Sequence, residues 1–414
     1  MLSIQPAVEL NFDELPPEVR RFRDTVREFA RTEVAPVALE LDQEAHDHFA
    51  WDLVHRGHRL GLTRAVLPKE FGGLGVGLVG VCLAMEELAA ACPGVALVFG
   101  ATMLAQGPIL LSGDPHLQSR FLPLFGGDSA VLACNAICDE EAGLDLVIPQ
   151  NVRHARGLTT IRRDGDEYVV NGHKRVITNG AVASFACVFG AMEGSRPDVG
   201  LTCLIVPLDL PGVTRGPVAD KMGYRACLGT ELGFEDVRVP VEYLVGAEGD
   251  GLGILLAQGN MARPSVAAIS TGVARHALEM AVDFCGTRVQ GGALLREHQM
   301  TARKLAEMAA KVEAARLLYL RAADKVDNSL PPPEYEPAIA KLFADRIAIE
   351  VASEAVGLLG SRGFIREVGL EKVLRDSYGA RIYEGTPEAL ALAVTDCLYR
   401  RDDEERDDDD DDDS

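Results

Sequence analysis

The chain has 414 residues, 47% of them apolar, and a formal charge of −22, a length suited to two or three cores and a composition that excludes global disorder. So acidic a chain excludes nucleic acid as the main partner, because phosphate binding needs clustered Lys and Arg. No run reaches the ~20 uninterrupted apolar residues of a membrane span and no basic-then-apolar leader opens the chain, so a cytoplasmic protein without membrane contact is expected.

From about residue 14 to 130 the pattern is helical. Pro17 to Glu33 repeats apolar residues every three or four positions until Pro36 interrupts. Leu67 to Gly75 is a Gly-rich loop, and Val81 to Ala91 is an Ala- and Leu-rich helix with Glu86 and Glu87 on one side. From about 131 to 243 the period changes to two. Glu167 to Val170, Asn171-Gly172, and His173 to Thr178 predict a strand, a tight hairpin turn and a strand. Ala186 to Met192, Leu201 to Val206 and Leu232 to Val239 are further short strands. From about 250 the helical period returns. Leu305, Met308, Val312, Ala315 and Tyr319 share a face opposite Lys304, Lys311 and Arg316. Pro331-Pro332-Pro333 breaks this helix and another starts near Pro337, which implies a helical bundle. No G-x-G-x-x-G loop follows a strand, so a Rossmann dinucleotide site is not expected.

Nine cysteines are scattered without a C-x-x-C pair, the usage of buried free thiols. His46 and His48 lie close together, but a ligand cluster needs more, so no metal site is expected. Residues 402–413 hold eleven acids against Arg406, and such a run is read as a disordered, solvating tail.

Several segments occur in a telling order: Leu67 to Gly75, Ala142 to Asp145, Asn171 to Gly180, Lys221 to Arg225 leading to Phe234–Pro240, Leu294 to Gln299, Arg375-Asp376, and Tyr383-Glu384-Gly385-Thr386. With them the chain resembles the acyl-CoA dehydrogenases over nearly its whole length. The resemblance implies an α+β, mostly α fold. Its parts would be an N-terminal α-helical domain (1–130), a central β-barrel-like or sandwich domain (131–243), a C-terminal four-helix bundle (244–400) and the acidic tail (401–414).

The implied reaction removes a proton from the carbon beside a thioester carbonyl and a hydride from the next carbon. The proton is weakly acidic, so a placed carboxylate and donors aimed at the developing enolate oxygen are required. The hydride needs an acceptor no side chain provides, hence FAD. By resemblance Glu384 is the base. Its backbone amide holds the thioester carbonyl, and Tyr383, Gly385, Arg263 and Leu144 lie along the substrate. Thr178 donates to the flavin ring, and Arg288 reaches the FAD pyrophosphate from a neighbouring subunit. Cys138, Val176, Gln299, Thr386 and Glu388 are the remaining cofactor positions. Some relatives carry the base immediately before the Arg that corresponds to Arg263. Here that residue is Ala262, which leaves Glu384.

The chain also departs from the family pattern. Val176 replaces a Trp, Cys138 a Thr, Gly291 a Phe, Gly357 a Gln, Leu144 a Ser and Ala391 an Arg. Three arrangements fit these changes: FAD held with fewer contacts in a homotetramer or dimer, a mixed oligomer whose sister subunit completes the FAD site, or a substrate carried on acyl carrier protein instead of CoA. An electron-transfer flavoprotein is the expected electron acceptor. An oxygen-reactive flavin monooxygenase or oxidase is opposed by Glu384, and a cofactor-less structural subunit is opposed by Glu384, Thr178 and Arg288.

Overall fold

The computed structural model describes residues 15–411, with side chains described as far as 399. The N-terminal part holds α1 (Pro17–Phe29), α2 (Ala38–Gln43), α3 (Trp51–Arg59), α4 (Gly77–Ala91), α5 (Pro93–Leu111) and α6 (Pro115–Phe121). The helical period of the first segment continues past α1 as a π turn, Ala30–Val34, and a 3₁₀ turn, Ala35–Val37. Pro36 lies in the latter, where its missing N–H costs no α-helical bond. Among the described residues α5 alone is long and apolar enough to cross a membrane, yet 67% of its most apolar stretch is buried within the protein.

Strands follow: β1 (Ala133–Ala136), β2 (Thr160–Asp164), β3 (Glu167–Thr178), β4 (Phe185–Met192), then the short α7 (Pro197–Gly200), β5 (Leu201–Pro207), β6 (Val213–Val218), β7 (Gly229–Pro240) and β8 (Leu244–Val245). They form one eight-stranded sheet, seven strands in the order β6-β7-β3-β2-β4-β5-β8 and β1 paired with β4 off that path. β1 and β2 lie parallel to successive parts of β4, Ala133 opposite Phe185 and Thr160 opposite Ala191. β4 and β5 are buried almost throughout, which is why they read as continuous apolar runs rather than alternating ones.

The expected hairpin at Asn171-Gly172 is not there. β3 runs unbroken through these residues, and they form an irregularity in its pairing with β7. Asn171 reaches across: its Nδ2 donates to Asp236 Oδ1 at 3.0 Å and its Oδ1 accepts from the Asp236 amide at 2.8 Å. Gly172 gives room to Thr159, whose Oγ1 and Cα would stand 2.4 and 2.6 Å from an added Cβ. A glycine inside a strand marks such a close approach as readily as a turn. The reversal itself falls at Gly165, φ +66°, between β2 and β3.

The C-terminal part holds α8 (Gly251–Thr287), a small hairpin of β9 (Val289–Gln290) and β10 (Ala293–Leu294), then α9 (Gln299–Asp327), α10 (Tyr335–Leu359), α11 (Leu370–Ser377) and α12 (Pro387–Asp411). The helices α8, α9 and α10 pack on one another, and α12 packs on α10. The α12 backbone runs into the acidic segment. The expectation of a disordered tail falls where side chains are not described, and residues 412–414 lie outside the described residues altogether.

Met308, Val312, Ala315 and Tyr319 are buried as their spacing predicts. Arg316, expected on the polar face, is buried as well. It donates from Nη2 and Nε to Glu86 at 2.6 and 3.0 Å, and Tyr319 Oη adds a third bond to Glu86 at 2.6 Å. Arg275 of α8 stands 3.3 Å from the same carboxylate. Burial alone would raise the Glu86 carboxyl, but Arg275, Arg316 and the Tyr319 hydroxyl outweigh it and hold it at about 2. This cluster ties α4 to α8 and α9, the frame on which the site is built.

Candidate active site

The segment between α11 and α12 carries Tyr383 to Thr386. Glu384 and Gly385 both have left-handed backbones, φ +56° and +97°. For Glu this conformation is sparsely populated and costs on the order of 1 kcal/mol, so the surroundings must impose it. Lys341 of α10 supplies much of that constraint. Its side chain is fully buried, and Nζ donates to Gly385 O and Ala380 O, each at 2.9 Å, and to Asp345 Oδ2 at 2.7 Å. Asp345 is completed by Ser270 Oγ of α8 at 2.7 Å. One cation thus pins both ends of the loop that presents Glu384.

A second support comes from a distant motif. Asp376 Oδ1 accepts the Tyr224 amide at 2.7 Å, across 152 positions, and Arg375 donates to Met222 O at 2.7 Å. Lys221–Arg225 and Arg375-Asp376 are therefore two halves of one joint. It seats the Tyr224 ring 6.4 Å from the Tyr383 ring in an edge-on contact. Gly379 makes space for the Tyr224 ring, whose atoms would lie 2.8–3.0 Å from an added Cβ.

Glu384 opens on a cavity of about 340 Å³ between the β-sheet, α5 and α8. Nine of the positions implied by resemblance meet there: Glu384, Tyr383, Gly385, Thr386, Arg263, Thr178, Val176, Cys138 and Leu144. Arg263 is buried, and its Nη1 donates to Asn260 Oδ1 at 2.7 Å. Burial pushes the Glu384 carboxyl above the usual carboxylate range, against the pull of Arg263 and Lys341, so a proton acceptor there is stronger than an exposed one. Gly259 borders the pair. A Cβ at that position would lie 3.9 Å from Glu384 Oε2 and 3.8 Å from Arg263 Nη2, so glycine leaves open the space beside the carboxylate and the guanidinium. Ala262, the alternative position for a base that the resemblance implies, also lines the cavity and carries a methyl group there.

Val176 has φ +51° and is 57% exposed, facing the cavity from the irregular stretch of β3 beside β7. A β-branched residue in that conformation is an outlier. Ile177 and Thr178, the next two residues of β3, line the same cavity, since the left-handed backbone at Val176 interrupts the alternation of faces. Cys138 stands next to Asp139, and Asp139 is locked by buried Lys174, whose Nζ donates to Asp139 Oδ2 and Ile137 O at 2.7 Å and to Phe189 O at 2.6 Å.

Arg288, Gln299 and Glu388 are not brought to this cavity. Arg288 follows the last residue of α8, Gln299 begins α9 and both are exposed; the 24 helical steps from Arg263 to Thr287 rise about 36 Å. Glu388 is exposed in the first turn of α12, where its own backbone N–H and the Thr386 hydroxyl hold its carboxyl below the usual range. Thr386 Oγ1 in turn accepts the Ala389 amide at 3.5 Å, a capping contact.

Sequence reasoning missed Lys341, Asp345, Ser270, Lys174 and Gly259. The Lys341–Asp345 spacing of four has the signature of an exposed helix pair, and only the packing of α10 under the 380–385 loop distinguishes it. Gly259 carried no signal, since a glycine inside a helix is read as a weakness of the helix.

Comparison with known proteins places the chain. Residues 16–126 match the acyl-CoA dehydrogenase N-terminal domain, 134–237 its middle domain and 249–398 its C-terminal domain. Cyclohex-1-ene-1-carbonyl-CoA dehydrogenase of Geobacter metallireducens is 35% identical over 364 residues, covering 88% of this chain and 93% of that protein. The mouse mitochondrial short-chain specific acyl-CoA dehydrogenase is 35% identical over 389 residues, 94% of this chain and 91% of that one. Among solved structures, butyryl-CoA dehydrogenase from Megasphaera elsdenii superposes with a TM-score of 0.87 at 31% identity, covering 93% of this chain and 99% of that chain. The chain belongs to the acyl-CoA dehydrogenase family, oxidoreductases acting on CH–CH groups with FAD as cofactor.

Proposed function

We propose that this enzyme desaturates a short acyl-CoA to the trans-2-enoyl-CoA, with Glu384 as the base. The observation that carries the reading is the convergence of Glu384, Arg263, Gly385 and Thr178 on one cavity. Behind it, past Gly100, Leu104, Ala262 and Ser265, lies only a small chamber of about 40 Å³. So shallow an end suits a short acyl group, in keeping with the short-chain relatives.

The residues present fit FAD at its ring end. Val176 offers an exposed apolar face in a conformation strained enough to need support, Thr178 a hydroxyl beside it, and Gly143 a backbone without a side chain. FAD supplies the hydride acceptor. Arg288 and Gln299, at the far end of α8, are proposed to hold the pyrophosphate of a neighbouring subunit in a homotetramer or dimer. Electrons are proposed to leave to an electron-transfer flavoprotein.

Glu384 takes the proton from the carbon beside the thioester carbonyl, from the side kept open by Gly259. The left-handed turn at Glu384 and Gly385 presents backbone N–H to the carbonyl oxygen as negative charge develops. Buried Arg263 favours the ionised form of Glu384 and so opposes the rise that its dry surroundings impose. Tyr383, backed by Tyr224, and Leu144 close the sides against water.

The test is the visible spectrum and flavin stoichiometry of the purified protein, followed by flavin bleaching with acyl-CoAs of graded length. Glu384→Gln should bind acyl-CoA without bleaching. A variant that bleaches at the wild-type rate would put the base elsewhere.

A further inference from the structure

The cavity and the small chamber behind it are separated by two facing helix stripes. On α5 they are Gly100, Leu104 and Gly107; on α8, Gln258, Ala262 and Ser265. Spacings of three and four place each set on one face. All but Leu104 and Gln258 are small, and Gln258 is polar where an apolar end would be expected.

Gln258 is 1% exposed, and its Oε1 accepts from Asn135 Nδ2 of β1 at 3.0 Å. Asn135 Nδ2 also reaches Leu104 O at 3.5 Å. Gln258 Nε2 and Asn135 Oδ1, both shielded from solvent, have no hydrogen-bond partner among the described residues. Turning both amides over exchanges their roles but again leaves one NH₂ and one C=O unpaired, so the result does not depend on amide orientation. Each unpaired buried group is costly, and native proteins rarely keep two together without a use. Asn135 lines the main cavity and Gln258 the chamber, so the pair sits where the end of a short acyl group would lie.

Resting on the proposed acyl-CoA reading, we infer that the preferred acyl group carries a hydroxyl on its fourth or fifth carbon, bound by Gln258 and Asn135. A hydroxyl accepts from the free amide N–H and donates to the free amide oxygen, whereas an alkyl end satisfies neither. The second and third carbons are excluded because they lose the proton and the hydride. The hydroxyl takes no part in that exchange: one C–H proton passes to Glu384, one hydride to the flavin, and a C=C bond forms. A carboxylate end is disfavoured, since neither amide carries charge and Arg263 is committed near Glu384.

The experiment compares butyryl- and pentanoyl-CoA with 4-hydroxybutyryl- and 5-hydroxypentanoyl-CoA on the FAD-loaded enzyme, by flavin bleaching and by calorimetric Kd. The hydroxyacyl thioesters should be favoured by at least about tenfold in kcat/KM. Gln258→Met and, independently, Asn135→Leu should remove that preference. Equal or better use of the plain alkyl thioesters by the wild type would overturn the inference while leaving the desaturase reading intact. A preference that survives both substitutions would overturn the assignment to this pair. Should neither series bleach the flavin, both readings fall. Where one variant does not fold, the wild-type ratio and the other variant still decide.

Discussion

Replacing Lys341 by Met separates what holds the loop that carries Glu384 from what holds the fold. The substitution removes three hydrogen bonds, to Asp345 Oδ2, Ala380 O and Gly385 O, and leaves Asp345 buried with Ser270 as its remaining partner. Stranding one member of a buried ion pair costs about 4 kcal/mol. With unfolding entropy near 2.1 cal/mol/K per residue, a chain of this length loses roughly 1 °C per 0.9 kcal/mol, so Tm should fall by about 5 °C. The double variant Lys341→Met/Asp345→Leu removes the stranded charge, and most of that loss should be recovered, since apolar replacement of a whole buried pair is close to neutral. Activity should not recover. Gly385 and Ala380 carbonyls stay unclamped in both variants, so kcat/KM should remain at least about tenfold down. Lys341 also lowers the Glu384 carboxyl, so its loss should move the acid limb of the kcat/KM profile to higher pH. Thermal unfolding and the pH profile of flavin bleaching together measure this. A double variant with wild-type kcat/KM and an unmoved acid limb would refute the positioning role and leave Lys341 a structural residue.

Glu384→Gln should be more stable than wild type at high pH. The folded protein raises this carboxyl, so the stability linked to its protonated form is present below the unfolded pKa and lost as pH rises through the folded one; the Tm advantage should shrink as pH falls, and a pH-independent difference would contradict it. Gly259→Leu should fold with an unchanged or raised Tm, because its Cβ meets Glu384 and Arg263 at ordinary contact distance and Leu favours helix. Its larger side chain should nevertheless abolish bleaching by acyl-CoA, and retained bleaching would place the substrate elsewhere. Glu86 is held at about 2 against 4.5 for an ordinary Glu, which corresponds to about 3 kcal/mol present above pH 4.5 and lost as pH falls toward 2. Urea unfolding of Glu86→Gln should show that deficit at pH 7 and a narrowing gap in acid; an equal deficit at every pH would count against it. Gly172→Ala should lower stability by about 2 kcal/mol or more, given the 2.4 and 2.6 Å approaches to Thr159, and a neutral result would mean that β3 can shift away from Thr159.

The sequence by itself determined the helix–sheet–helix order and the Glu384 motif. Those signals are local: a period of 3.6 or 2, proline breaks, and a short Tyr383–Thr386 run whose glycine follows Glu384. Nine residues of the cavity wall, Thr178, Val176 and Cys138 among them, were reached through the family resemblance of short collinear segments; the rest of the wall was not. What the sequence misread depended on neighbours far along the chain. Asn171-Gly172 has hairpin chemistry, yet Asp236 and Thr159 make it an irregularity within a strand. Arg316 reads as a solvent residue until Glu86, 230 positions away, buries it. Lys341 and Asp345 look like any exposed pair on a helix, and only the loop folded over α10 turns the lysine inward to hold Gly385. The tertiary structure decided these because a charge's role depends on which partners and how much water surround it, and neither is written in the residues adjacent to it.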